Sequence, residues 1–219
     1  MSFVKPVITD GGFAPRQLQI GDVLASADAI PATDTTNTNL TITAAMLLKK
    51  YIVRNPAGVS NENLDTALNL LAGFNTAAPS AGRLQDGISF IFRFINISVN
   101  ALTVLAAANT GLILNRGAIA ATSFKDFLVT VKSGTPAQTY SCVTTNASPV
   151  VGMTVAQAAT LTPGMIVTNA VNGLQGFTIL SVNIQLGAVT LSGSASATST
   201  APGVAISFSP VIQFDGLAP

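Results

Sequence analysis

The 219-residue chain carries ten Lys and Arg against nine Asp and Glu, and charged residues make up only 9% of it, against roughly 25% in an ordinary soluble domain. It has no His and a single Cys, Cys142, which excludes Ser-His-Asp and Cys-His catalysis, His metal sites, a thiolate zinc site and an intrachain disulfide. The remaining composition, 48% hydrophobic but only 6% aromatic and without Trp, is rich in Ala, Val, Leu, Ile, Thr, Ser, Asn and Gly, the residues of strands and tight turns.

Residues 1–36 read as an extended N-terminal arm. Pro6, Pro15, Pro31 and the Asp10-Gly11-Gly12 turn interrupt any sustained periodicity, apart from one short strand over Gln17–Leu24. Such an arm becomes ordered on a partner, because alone it buries too little surface. The N-terminus lacks a basic start, apolar core and small-residue cleavage site, so no signal peptide is expected.

From Leu40 the pattern tightens. Leu40–Thr43 alternates, Ala44–Leu48 suits a helical turn and Tyr51–Arg54 a strand, which Asn55-Pro56-Ala57-Gly58 stops. A short helix is predicted near 61–72, capped by Ser60 or Asn61, with Glu62 and Asp65 favoured by the dipole at its first turn. Leu64, Ala67, Leu68 and Leu71 lie on one face at helical spacing, and Gly73 closes it. Beyond the Pro79–Gly82 loop, Ile88, Phe90, Phe92 and Phe94 alternate with Ser89, Ile91, Arg93 and Ile95 as a strand with one buried face. Segments 101–106, 112–114, 124–132 and 138–144 continue the strand series, with a turn at Asn115–Gly117. After Asn146-Ala-Ser-Pro149 the segments 165–168, 177–182, 188–192 and 204–208 alternate between Gly- and Ser-rich turns. Strands at this spacing indicate an all-β chain.

The expected architecture is therefore an antiparallel β-sandwich or jelly-roll-like body over 37–145 with one short helix, a smaller C-terminal β module over 146–219, and the arm over 1–36. Polar residues interrupt the apolar stretch from Ile88 to Leu114, so no membrane helix is predicted. The missing signal and aromatic girdles count against a membrane barrel.

The chain offers little chemistry. It has no phosphate-cradling glycine loop. Glu62, Asp65, Asp86 and Asp126 are the carboxylates available for a glycosidase pair, but Glu62 and Asp65 read as a helix start, Asp86 as a loop residue and Asp126 as a strand residue. Asp34, Asn37 and Asn39 supply oxygen ligands but miss the EF-hand spacing. Lys49, Lys50 and Arg54 form a small basic cluster with no interleaved aromatic beyond Tyr51, while Arg93, Arg116, Lys125 and Lys132 are scattered, so nucleic acid is not expected as a partner. These basic groups are expected to face water or acidic groups on neighbouring subunits. Asn39, Asn96 and Asn146 begin Asn-x-Ser/Thr triplets that, without a secretion signal, are chance matches for glycosylation. Cys142 reads as a small buried apolar residue. The expectation is a chain with no catalytic, cofactor or metal site.

Charge is also unevenly placed. From Ser133 to the C-terminus the only charged residue is Asp215. A surface so poor in charge has little electrostatic protection against association.

Two stretches resemble tailed-phage virion proteins. The first runs through Tyr51-Ile-Val-Arg-Asn-Pro-Ala-Gly, Gly87–Ser98, Leu102–Leu114 and Ser123–Val131. The second comprises Leu161–Thr168, Gly187–Ala195 and Val204–Phe208. Together they cover about two-thirds of the chain, counting the intervening turns as part of the same β modules. The resemblance implies a particle component, homotrimeric in many cases, with no functional residue to carry over. The reading that follows is a non-enzymatic capsid decoration or cement protein on the virion surface, its partners itself and the major capsid protein or other virion proteins, with no membrane. A tail, fibre, baseplate or host-adhesion component is the alternative.

Overall fold

The computed structural model describes residues 39–49, 51–77, 86–108, 110–200 and 202–217. The expected arm, the Gln17–Leu24 strand and the Pro79–Gly82 loop lie outside them. In chain order a first unit comprises β1 (Thr41–Ile42), α1 (Ala44–Leu47), β2 (Tyr51–Arg54), β3 (Ser60–Leu64), α2 (Ala67–Ala77), β4 (Ser89–Asn96), β5 (Leu102–Leu105), β6 (Leu112–Asn115), β7 (Ala118–Ile119) and β8 (Ser123–Ser133). A second unit follows with β9 (Gln138–Thr144), β10 (Val150–Gly152), α3 (Val155–Ala158), β11 (Ile166–Val167), β12 (Ile179–Asn183), β13 (Ala188–Leu191) and β14 (Val204–Ser209). Finally β15 (Val211–Gly216) returns to the first unit. The chain is mostly β, as its composition predicts.

Two sheets build the first unit, in the orders β2-β4-β8-β15-β6 and β1-β3-β5-β7. Their inward side chains share one apolar cluster. Phe90, Phe92, Phe94, Phe127, Val129, Val131, Ile212 and Phe214 enter it from the first sheet, and Ile42, Leu64, Leu102, Val104 and Ile119 from the second. Phe92 stacks on Phe127 with centroids 5.2 Å apart and meets Phe214 edge-on at 6.4 Å, arrangements that add to the burial of each ring. The alternation at Ile88–Ile95 matches its expected buried face.

The expected purely antiparallel body is corrected. β1–β3, β3–β5, β2–β4 and β15–β6 are parallel pairs, while β4–β8, β8–β15 and β5–β7 are antiparallel. The parallel pairs have a simple origin. β2 lies in the first sheet and β3 in the second, so the turn between them arches over the core, and β4 and β5 repeat the crossing. Tyr51 pairs with Arg93, Arg54 with Asn96, Ser60 with Leu102 and Asn63 with Leu105. The offset is the same in both sheets, so one arch stacks on the other in register.

The helix is also displaced from its expected position. Ser60–Leu64 is a strand with Ser60, Glu62 and Leu64 inward, and the helix occupies 67–77. Thr66 caps it, its hydroxyl accepting the Asn69 amide at 3.2 Å, and Asp65 accepts the Asn69 side chain at 2.8 Å. Ala67, Leu70, Leu71 and Phe74 form the buried face, whereas Leu68 is exposed. Gly73 sits within the helix, where a Cβ would lie 2.4 Å from Ala44 Cβ, so its role is close approach to α1 rather than termination. Among the described residues there are three helices: α1 falls on the helical turn expected at Ala44–Leu48, and α3 was not expected.

The second unit is a six-stranded antiparallel sheet, β11-β14-β9-β10-β13-β12. It closes on itself: Ile166 bridges Thr178, the Ile179 amide donates to Met165 O at 2.8 Å, and the Gly164 amide donates to Ile179 O at 2.8 Å. Closure removes free edges and encloses a separate core of Cys142, Val151, Met165, Val167, Leu174, Val189, Ile206 and Phe208 among others.

Sheet pairing divides the chain elsewhere than the 145/146 boundary read from the sequence. β9 belongs to the second unit, paired with β14 and β10. β15 belongs to the first, and Val211 is the register partner of Ser133. The second unit is thus an insertion between two adjacent strands.

Candidate functional interface

Each carboxylate among the described residues is held by a group of its own chain. Glu62 is fully buried with Arg54, whose Nε donates to Oε1 at 3.0 Å, and its other oxygen accepts the Leu40 amide at 2.9 Å. Asp86 accepts the Gly134 amide at 2.7 Å. Asp126 receives both Arg93 Nε at 2.7 Å and Nη2 at 2.9 Å. Asp215 accepts Asn115 at 2.6 Å and Gln213. Asp86 and Asp126 lie toward opposite ends of β8, eight residues of extended chain or roughly 26 Å apart, too far for a glycosidase pair.

Three of the basic residues, Arg54, Arg93 and Lys125, have comparable partners, which corrects two expectations. Arg54 is buried inside the arch with Glu62 and cannot join a surface cluster with Lys49. Arg93 meets Asp126 of its own chain, and Lys125 Nζ donates to Arg116 O at 3.1 Å and Ala118 O at 2.7 Å. Asn39 accepts the Asn61 amide at 3.3 Å, while Asp34 and Asn37, its supposed calcium partners, fall outside the described residues. No group of three His, Cys, Asp or Glu residues able to hold a metal occurs among the described residues. Burial pushes the Cys142 thiol up to about 11, so at neutral pH it is a protonated core side chain.

Asn96 and Ser98, singled out as a glycosylation triplet, hold the arches together. Asn96 Nδ2 donates to Asn100 O at 2.8 Å and Ala120 O at 2.9 Å, and its Oδ1 accepts the Ser98 amide. Ser98 Oγ donates to Pro56 O at 2.6 Å, and the Ile97 amide to Arg54 O at 3.0 Å. Apart from the Ser60 hydroxyl, which is buried without a hydrogen-bond partner, these polar groups satisfy one another and the turns, while the apolar side chains Val59, Ile97 and Val99 (83% exposed) face outward.

Two surfaces remain as candidate interfaces. The first is the outer face of the five-stranded sheet, where register places Ser89 beside Thr130, Ile91 beside Leu128, Arg93 beside Asp126 and Ile95 beside Phe124. Tyr51 flanks Arg93, and on the far strands Gln213 adjoins Ile113 and Asp215 adjoins Asn115. Ile91 is 53% and Phe124 48% exposed. The Arg93 guanidinium lies 4.2 Å from the Phe124 ring centroid, which fixes both side chains. Grooves border Phe124 on either side: one of about 290 Å³ lined by Arg93, Ile95, Ile97 and Thr122, and one of about 660 Å³ lined by Ala101, Ala118, Ile119 and Lys125.

The second surface is that of the inserted unit. Residues 134–210 contain no charged side chain, yet Val143, Val150, Val155, Leu180, Ile184 and Leu186 (76% exposed) are turned to solvent. The β12–β13 turn is fixed to the α3 entry by Met153 N donating to Gly187 O at 2.7 Å, with Gly187 at φ +58°. A capping box between Thr154 and Gln157 starts α3.

Sequence reasoning named none of these surface residues as a site. The alternation at 88–95 was visible, but the pairing of Arg93 with Asp126 needs the β4–β8 register. No helix among the described residues is long and apolar enough to cross a membrane, and the 88–114 stretch forms β4, β5 and part of β6. No protein-family model, curated protein or solved structure matches this chain.

Proposed function

We propose that this protein is a non-enzymatic structural subunit of a virus particle, a capsid decoration or cement protein that binds the assembled shell. The observation that carries the reading is the inserted unit: a closed sheet without a single charged side chain that exposes six large apolar residues. A monomer in dilute solution is kept apart from its neighbours by surface charge, and exposed apolar groups mark contacts.

In this reading the first unit serves as a β-sandwich body, the inserted unit meets the particle, and residues 1–36 reach across neighbouring capsid subunits. Binding only the assembled shell shifts the equilibrium against disassembly by mass action. Burial of apolar surface, at roughly 25 cal/mol per Å² before association costs, drives attachment. The chain acts as a homotrimer, with itself and the major capsid protein as partners, and needs no nucleic acid, membrane or cofactor.

Co-sedimentation of the purified protein with intact heads stripped of it, and separately with isolated tails, tests the proposal. Saturable pelleting with heads and a raised disruption temperature are expected. Pelleting with tails alone would place it with tail, fibre or baseplate proteins. Binding to neither would overturn the reading.

A further inference from the structure

The outer face of the five-stranded sheet is built differently from a solvated sheet face. Apart from Lys132 and the Tyr51 hydroxyl, its polar side chains are bonded to one another. The Ser89 and Thr130 hydroxyls are 2.9 Å apart, Arg93 holds Asp126 through two bonds, and Asp215 accepts from both Asn115 and Gln213. Between these pairs lie Ile91, Leu128, Ile95, Phe124 and Ile113. Polar groups that already have partners lose little when water leaves, whereas unpaired ones carry the full desolvation penalty. The face is therefore prepared for burial although nothing in the chain's described residues covers it.

We propose that its occupant is a second copy of this chain. The argument rests first on charge. Arg93 and Lys132 oppose Asp126 and Asp215 on the face, two of each sign. A neutral surface with both signs can meet copies of itself around a threefold axis, the Arg93 of one chain approaching the Asp126 of the next, without like charges being forced together. The second argument is size. Strands of 4, 8, 11, 6 and 4 residues, about 4.8 Å apart and rising about 3.3 Å per residue, give a face of roughly 500 Å² before side-chain relief, or roughly 1,000 Å² over two partners, the lower limit of a specific interface. Phe124 and the two grooves beside it extend the face and offer a ring and a place to seat one, the usual makings of a hot spot.

The inference deepens the particle-subunit reading by naming the surface through which copies associate, and it fails separately from that reading. The test is sedimentation velocity of the full chain and of Ile91→Lys, Phe124→Lys and Leu186→Lys variants, with thermal unfolding and circular dichroism to verify folding. Ile91 and Phe124 are half exposed, so both variants are expected to fold. The wild type is expected to self-associate, the two face variants to weaken association at least tenfold, and Leu186→Lys on the inserted unit to leave it unchanged. A wild type that stays monomeric up to about 100 µM, well above the µM-to-pM dissociation constants of standard-size interfaces, overturns the inference. So does association that survives both face variants or is lost only in Leu186→Lys. A monomer that still pellets with heads would leave the decoration reading standing without this interface. Association through this face in a protein that binds no particle would do the reverse.

Discussion

Arg54 and Asn96 occupy the same position in two stacked arches, paired in parallel register at the end of the first sheet, both buried and both tied to polar groups of the arch turns. The first carries the ion pair to Glu62 across the arch. The second bonds the carbonyls of Asn100 and Ala120. The sheets are joined at this end by a polar core rather than an apolar one.

That relationship makes the Arg54–Glu62 pair costly to break and cheap to replace whole. Glu62→Gln leaves Arg54 charged and buried, and the expected loss is about 3–5 kcal/mol in denaturant unfolding. An Arg54→Met, Glu62→Leu double variant recovers most of it. A single-variant cost below about 1 kcal/mol would show that the pair is not desolvated as its burial requires.

Gly73→Ala tests the contact between α1 and α2. Alanine favours an isolated helix by about 1 kcal/mol, but its methyl would lie 2.4 Å from Ala44 Cβ. A net destabilisation of about 1–3 kcal/mol is expected, with Ala44→Gly restoring stability in the double variant. Stabilisation by the single change would mean the helices part freely.

The acid limb of stability should report Asp126. Its carboxyl is held below the ordinary carboxylate range by the Arg93 hydrogen bonds. A depressed folded-state value means the contribution is present above the unfolded carboxylate range and is lost as pH falls through the folded value. Asp126→Asn should therefore be less stable than wild type at pH 7, with the two unfolding curves converging as pH falls through the folded value. Parallel curves across that range would contradict the assignment.

Excision of the inserted unit tests its independence. Ser133 and Val211 are register partners, so replacing 134–210 by Asn-Gly should join β8 and β15 as an ordinary hairpin. The shortened chain is expected to unfold cooperatively, as the first unit keeps its own apolar cluster. A chain that aggregates or shows no transition would mean the two units fold only together.

Deletion of residues 1–36 should leave the unfolding transition near that of the full chain and weaken attachment to heads. Equal pelleting of truncated and full-length protein would remove the arm from the mechanism.

Strand content was legible where alternation was strong. Phe90, Phe92 and Phe94 announce their face, and Tyr51–Arg54 and Gln138–Thr144 match their strands. What escaped was partnership. Parallel stacking of 51–63 on 93–105 joins segments whose side chains share no common pattern, since Arg54 faces Asn96 and Glu62 faces Val104. Ser60-Asn-Glu-Asn-Leu64 looked like a helix start because cap and acid signals there are local, whereas the strand is imposed by β1 and β5 on either side. β15 was missed because Val211–Gly216 follows β14 with only Pro210 between, and nothing local says that it leaves one sheet for the other. The candidate interface was hidden for the same reason: Arg93, Asp126 and Phe124 meet only once the register is known.

The most direct measurement is the mass of the full chain in solution by light scattering across about 1–100 µM, concentrations at or above the µM-to-pM dissociation constants of standard-size interfaces. The account predicts a mass corresponding to three chains of 22.2 kDa, reached at the lower concentrations and lost in Ile91→Lys. A mass of one chain at every concentration would contradict it.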